Sequence, residues 1–281
     1  MTIEPQNIFA VNLYSYVFSQ RAGDTVRRLA DQGYRGFELM MFPGHLWHGK
    51  DNAAQRAELR RVQQQAGVRF LSTNMPNIDI NVAAVAPEMR AYSLLLLENL
   101  IETTGELGIP GMVIGPGKAN PLFPAPPAHL RDFFFAALDR LVPVAERNGV
   151  TLLLENMPFA FLPDAESIVA ALDDYGHDGI GIVYDVANAH FIGEDPAEGL
   201  RRVRSRLRLV HVSDTGRQVY KHDAVGLGDV PFASVATALG EVEYDELPVL
   251  EIISHDPDRD TGESAAKLAA AGFALSAQKR C

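Results

Sequence analysis

Residues 151–158 read TLLLENMP. The apolar residues 151–154 are typical of a strand that is buried on both faces, as strands of parallel sheets are. Glu155 ends this run, and its carboxylate is costly to remove from water unless it is paired, hydrogen-bonded or bound to a metal. Gly149 precedes the strand at a position where glycine commonly ends a helix. The stretch therefore predicts a helix end, a buried strand and then a carboxylate that needs a partner.

The same arrangement recurs along the chain. Eight short apolar runs of β type are each followed by a stretch with helical spacing. The predicted strands span residues 8–14, 36–40, 68–74, 111–115, 150–156, 179–186, 207–214 and 247–254. The predicted helices span residues 24–33, 53–67, 87–108, 129–149, 164–175, 196–206, 231–240 and 262–278. Eight parallel strands joined by helices predict an α/β fold, a single (β/α)8 barrel, with residues 1–281 as one domain.

A doubly wound open sheet is the alternative architecture. Such sheets usually carry a glycine-rich phosphate turn after the first strand. Residues 11–23 read VNLYSYVFSQRAG and contain no such turn. No break in composition marks a second domain, so the closed barrel is favoured.

Composition restricts the partners. The chain of 281 residues has a formal net charge of −11, which argues against a nucleic-acid partner. Its only cysteine is Cys281, so neither an internal disulfide nor a zinc-thiolate site is expected. The first 15 residues lack a basic segment followed by a long apolar run, and no apolar stretch is long enough to span a membrane. We therefore expect a cytoplasmic protein with no membrane partner.

Four polar residues stand at the ends of the last four predicted strands: Glu155, Asp185, His211 and Glu251. The carboxyl ends of barrel strands meet at one face, where the active sites of such barrels are built. Any one of these acids alone is equally well explained as a helix cap. Three converging carboxylates would repel one another, however, and a single imidazole cannot neutralise them. The four together predict one divalent cation, Mn²⁺ or Mg²⁺ before Co²⁺ or Zn²⁺.

The segments LLLEN, YDVANAH, HVSD…HDAVGLGD and VLEI resemble the xylose isomerase-like TIM barrel superfamily. That superfamily includes sugar phosphate isomerases and epimerases, hydroxypyruvate isomerase-like proteins and endonuclease IV. The resemblance implies Glu155, Asp185, His211 and Glu251 as ligands of one metal, with Glu155 and Glu251 also acting as acid and base. It further implies a small carbohydrate-like substrate and a homo-oligomer.

These residues suit a metal-dependent isomerase or epimerase of a small sugar or hydroxy-carbonyl compound. A metal that binds the carbonyl and neighbouring hydroxyl acidifies the C–H bond by stabilising an enediolate, and two carboxylates move the proton. The alternatives are a dehydratase of the inosose or dehydroshikimate type and a non-catalytic carbohydrate-binding barrel. Endonuclease activity is disfavoured, because Tyr220 stands where endonuclease IV has an acid two residues before the histidine that matches His222.

Six further residues are predicted to contact substrate: Glu38, His45, Asn188, His190, Arg217 and His222. Asn188 stands where many family members have a histidine, and His190 replaces that histidine only if the local turn differs. For Glu38 a helix-capping or ion-pair role is equally expected. His45 lies in the loop after the second predicted strand, where it either forms a pocket wall with Trp47 or is exposed, as loop residues more commonly are.

Overall fold

Eight parallel strands close into a barrel, in which each strand pairs with the next and the eighth pairs with the first. The computed structural model describes residues 7–76 and 79–274. Residues 1–6 and 275–281, including Cys281 and the end of the last predicted helix, lie outside the described residues. The (β/α)8 barrel is confirmed, whereas the extent of the domain over residues 1–281 stays a prediction.

The strands are short and follow the predicted order. They are β1 Ala10–Asn12, β2 Gly36–Met40, β3 Arg69–Asn74, β4 Gly111–Ile114, β5 Thr151–Glu155, β6 Gly181–Asp185, β7 Leu207–Val212 and β8 Val249–Leu250.

Nine α-helices surround the barrel within the described residues. They are α1 Ala22–Asp31, α2 Ala53–Ala66, α3 Pro87–Glu106, α4 Pro127–Arg147, α5 Ala165–Tyr175, α6 Val186–Ile192, α7 Pro196–Val203, α8 Phe232–Glu241 and α9 Pro257–Ala270. None of these helices is both long and apolar enough to cross a membrane.

The strands' two-residue side-chain period stacks two layers inside the barrel. An apolar layer of buried side chains comes first: Ala10, Leu71, Val113, Leu153, Val183, Leu209, Leu247 and Val249. Two residues further along β5, the same face of the strand carries Glu155, because successive side chains alternate between faces. Asp185, His211 and Glu251 likewise lie two residues beyond a member of this layer. Those members are Val183, Leu209 and Val249. The predicted metal ligands therefore lie directly above this apolar layer, which we call the apolar plug.

Leu153 shows how closely this plug is packed. A Cβ built on Gly111 would lie 2.7 Å from one methyl carbon of Leu153, and a Cβ on Gly181 would lie 2.9 Å from the other. Both neighbouring strands therefore begin with a glycine so that the leucine can fill the barrel.

One helix was missed, and several predicted bounds differ from those of the structure. Helix α6 begins directly after β6, where no helix was expected, because the Asp185 side chain accepts a hydrogen bond from Asn188 N and caps it. Its seven residues are too few to show a clear period. Strand β1 is three residues long and a 3-10 turn at Tyr14–Tyr16 follows it. Strand β8 has only two residues, and α9 begins at Pro257 and ends at Ala270.

Candidate metal centre

Glu155, Asp185, His211 and Glu251 converge at the carboxyl end of the barrel. His211 Nδ1 lies 3.0 Å from Glu155 Oε1, 3.1 Å from Glu251 Oε2 and 3.8 Å from Asp185 Oδ2. One ligand atom from each of the four residues lies within 4.8 Å of the others. All four side chains are buried, with residue exposures between 0 and 6%. The juxtaposition that the sequence predicts is therefore present.

The hydrogen bonds of the cluster fit a cation. Asp185 uses one oxygen to cap α6, at 2.7 Å from Asn188 N, while its buried Oδ2 has no hydrogen-bond partner among the described residues. Glu155 is not a helix cap, since Asp164 caps α5. An unpartnered carboxylate oxygen that faces other acids is costly unless a cation joins them. Three carboxylates and one imidazole suit a divalent ion with a preference for oxygen ligands.

Burial and mutual charge shift the pKa values of the cluster. Burial raises the pKa of Glu155 and that of Asp185 to about 7. Burial opposes ionisation of Glu251 as well, but the charges of His211 and His222 lower its pKa to about 2. Burial disfavours the imidazolium of His211, yet Glu38, Glu251 and Glu155 raise its pKa well above the usual value. The cluster thus attracts positive charge.

Glu38 lies behind His211, away from the cavity. Its Oε1 lies 3.0 Å from His211 Nε2, although Nε2 has no well-aligned hydrogen bond within the described residues. Glu38 accepts hydrogen bonds from Asn12 Nδ2 at 2.6 Å, Ser72 Oγ at 2.5 Å and Asn74 Nδ2 at 3.3 Å. The ion-pair alternative therefore describes Glu38 better than substrate contact does. Its charge orients the imidazole so that Nδ1 faces the three acids.

A cavity of about 300 Å³ opens above the cluster. Among the cluster members, Glu155 and Glu251 line it, whereas Asp185 and His211 do not. Asn188 and His222, two of the predicted substrate contacts, line it as well.

The other predicted contacts are placed elsewhere. His45 is buried with Nδ1 2.5 Å from Gln20 O, so it is neither exposed, as a loop residue was expected to be, nor part of the cavity wall. His190 is also buried and its Nε2 lies 2.7 Å from Asp229 Oδ1, because α6 turns the ring away from the cluster. Arg217 is exposed on the loop after β7. None of the three lines the cavity.

Two residues of the site were missed as functional candidates. Tyr220 reaches the cavity, and its hydroxyl bonds to Asn188 Oδ1 at 2.6 Å and lies 2.8 Å from His222 Nε2. Asn156 joins β5 to β6, since its side chain accepts from Asp185 N at 2.8 Å and donates to Asp185 O at 3.0 Å. Asn156 could have been found from the sequence, because it directly follows Glu155. Tyr220 could have been found only by comparison with endonuclease IV, which has an acid at that position.

Residues 26–271 match the model of the xylose isomerase-like TIM barrel family. The protein belongs to this family. The chain is also similar to an uncharacterized protein of Methanocaldococcus jannaschii, with 25% identity over 236 residues, 81% of this chain and 78% of that protein.

Two solved structures are similar over nearly the whole fold. A D-tagatose 3-epimerase-like protein has a TM-score of 0.80 and 23% identity, with 94% of this chain and 97% of that chain covered. The IOLI protein with a binding zinc atom has a TM-score of 0.76 and 16% identity, with the same shares of 94% and 97%. At these identities the likeness shows the fold.

Proposed function

We propose that this protein is a divalent-metal-dependent isomerase or epimerase of a small, carbohydrate-like hydroxy-carbonyl compound. One observation carries the proposal: of the four clustered residues, Glu155 and Glu251 alone line the cavity, while Asp185 and His211 lie behind them. A cluster that served only to hold an ion would have no need to present two carboxylates to a ligand. The epimerase-like neighbour supports this reaction class.

The residues that would hold the ion are Glu155, Asp185, His211 and Glu251. Their three carboxylates favour Mn²⁺ or Mg²⁺. Zn²⁺ and Co²⁺ are the alternatives, and the zinc in the IOLI structure supports the first of these two. When bound, the ion would polarise a substrate carbonyl and stabilise negative charge on its oxygen.

Glu155 and Glu251 would move the proton. In the proposal one of them removes a hydrogen from the carbon next to the carbonyl and the other returns it. Return of the proton to the opposite face of the same carbon epimerises. Return to the former carbonyl carbon isomerises, with the proton of the neighbouring hydroxyl passing to the former carbonyl oxygen and leaving a new carbonyl behind. Asn188 and His222 stay in the proposal as residues that face the substrate.

Solvent-deuterium incorporation tests the proposal. Protein treated with chelator and reloaded with Mn²⁺ is incubated in D₂O with a panel of ketoses, and the products are followed by NMR and mass spectrometry. We expect deuterium at the carbon next to the carbonyl, and none with the chelated protein. A metal-loaded protein that exchanges no hydrogen of any substrate contradicts the proposal. Loss of water, seen as a new enone absorbance, would instead favour the dehydratase.

A further inference from the structure

The polar side chains of the cavity wall are largely bonded to one another. Asn188 Oδ1 accepts from the Tyr220 hydroxyl at 2.6 Å, and its Nδ2 donates to Asn156 O at 2.7 Å. His222 Nε2 lies 2.8 Å from the Tyr220 hydroxyl, and its Nδ1 lies 2.9 Å from Ser213 Oγ. Every polar side-chain atom of Asn188, Tyr220 and His222 therefore already has a protein partner.

Asn74, on the opposite side of the barrel, is engaged in the same way. Its Oδ1 accepts from Met75 N at 2.7 Å and its Nδ2 donates to Glu38 Oε1 at 3.3 Å. Both polar atoms of the Asn74 side chain are therefore already hydrogen-bonded, one to Glu38 and the other to the Met75 backbone.

The polar groups that remain for a ligand are gathered near the cluster. They are the carboxylates of Glu155 and Glu251, which have free lone pairs beyond their contacts with His211 and Asn12, and the hydroxyl of Tyr14, which has no hydrogen bond among the described residues. Lys118 also lines the cavity, and it too already interacts with another group of the protein. Two carboxylates and one hydroxyl suffice for a carbonyl with a neighbouring hydroxyl, but they leave little for a longer row of hydroxyls.

The rest of the wall is apolar. Its side chains include Met40, Met75, Pro76, Met157, Pro158 and Ile253. Such a wall offers no hydrogen bond to replace the water that a sugar hydroxyl gives up, so a hydroxyl placed there is disfavoured. Methionine is flexible and polarisable, so the wall adapts to apolar groups of different shape.

We propose that the substrate is amphipathic: a hydroxy-carbonyl unit at Glu155 and Glu251, with a deoxy, alkyl or aryl portion against the methionines. This inference rests on the proposed function, because it assigns the reacting end of the substrate to the two glutamates. An enzyme for fully hydroxylated sugars would need a hydrogen-bond partner in its cavity wall for each buried hydroxyl, and the apolar side chains of this wall do not supply them.

Matched sugar pairs test the inference. D-Fructose and D-tagatose are compared with their 6-deoxy counterparts on the Mn²⁺-loaded protein, by calorimetric binding and by deuterium exchange. We expect the 6-deoxy members to be favoured about 10- to 100-fold in Kd and in kcat/KM, the range over which an apolar pocket discriminates one such group.

Variants of Met157 test whether the preference for 6-deoxy sugars arises from the apolar wall of the cavity. Met157→Gln adds hydrogen-bonding atoms at nearly constant volume and is expected to narrow the preference, whereas Met157→Leu keeps it. Met89→Gln is the matched control, because Met89 lies exposed on α3 outside the cavity. The control should leave both ratios unchanged.

The outcomes separate this inference from the proposed function. Exchange into both sugars without a deoxy preference overturns the amphipathic substrate and leaves the enzyme reading intact. Tighter binding of the deoxy sugars without any exchange supports the ligand class and removes the proposed function. Failure of both members of each pair to bind overturns the inference.

Discussion

The two ends of the barrel each carry a cavity, and the larger one is not where the acids converge. The cavity at the amino end of the strands has a volume of about 630 Å³, against about 300 Å³ at the carboxyl end. Its charged side chains include Arg69, Arg204 and Arg208, all exposed, and Arg69 pairs with Glu246. Exposed pairs of this kind contribute little to stability. Buried charge without a full set of partners, and not cavity volume, makes the carboxyl end of the barrel the candidate active site.

Removing either proposed proton carrier should give the largest effect. Glu155→Gln and Glu251→Gln are each expected to lower deuterium exchange about 10³-fold, the usual scale for loss of a general acid or base. The Arg69→Gln variant at the other end serves as the control and should exchange at the wild-type rate. Comparable exchange in both glutamine variants and the wild type would remove their assigned roles.

The pH dependence of the chelated protein should be the next largest effect. Glu155 and Asp185 have pKa values raised to about 7, so the folded state binds more protons than the unfolded state between about pH 4 and 7. His211, with its pKa raised well above 6.5, acts in the same direction above that pH. The free energy of unfolding should therefore fall from pH 5 to 8 by several kcal/mol, on the order of 5 kcal/mol for the two carboxyls together.

Urea titrations at several pH values measure this slope. The Glu155→Gln variant should flatten it, because the replaced group no longer titrates. Addition of Mn²⁺ should reverse it, since a cation competes with protons for the same ligands. A chelated protein that is most stable at pH 8 would contradict the described charge balance.

Glu38 should show a smaller effect of its own. Glu38→Gln keeps the size of the side chain but removes the charge that faces His211 Nε2, so we expect Mn²⁺ affinity to fall about 10- to 100-fold. Titration calorimetry measures the affinity, and Glu58→Gln on α2, whose half-buried side chain pairs with Arg27 far from the cluster, is the control. Unchanged affinity in Glu38→Gln would mean that the ring is oriented by packing alone.

The amino-end ion pair should give the smallest effect. Arg69→Gln breaks the contact with Glu246 and should change the free energy of unfolding by less than about 1 kcal/mol, because the Arg69 side chain is 54% exposed. Chemical denaturation measures the change. A loss of several kcal/mol would show that this end, too, depends on buried charge.

The sequence predicts the barrel and the acid cluster for a common physical reason. Apolar runs that alternate with helical periods fix the strand order, and strand direction brings Glu155, Asp185, His211 and Glu251 to one face. Helix α6 escaped prediction because it has only seven residues and begins directly after Asp185, which is both the last residue of β6 and the cap of the helix. Contacts between side chains that are distant in sequence were not predicted either. The residues around Glu38 do not indicate that its carboxylate lies 3.0 Å from His211 Nε2, on the side of the ring opposite the cluster.

Titration of the chelated protein with Mn²⁺ by calorimetry tests the central claim most directly, because the account rests on one cation joining the four buried side chains. We predict one ion per chain in the wild type, and binding weakened by at least about 100-fold in Asp185→Asn, which removes the charge of a cluster member that does not line the cavity. Absence of binding in the wild type at millimolar Mn²⁺, Zn²⁺ and Co²⁺, or undiminished binding in Asp185→Asn, would contradict it.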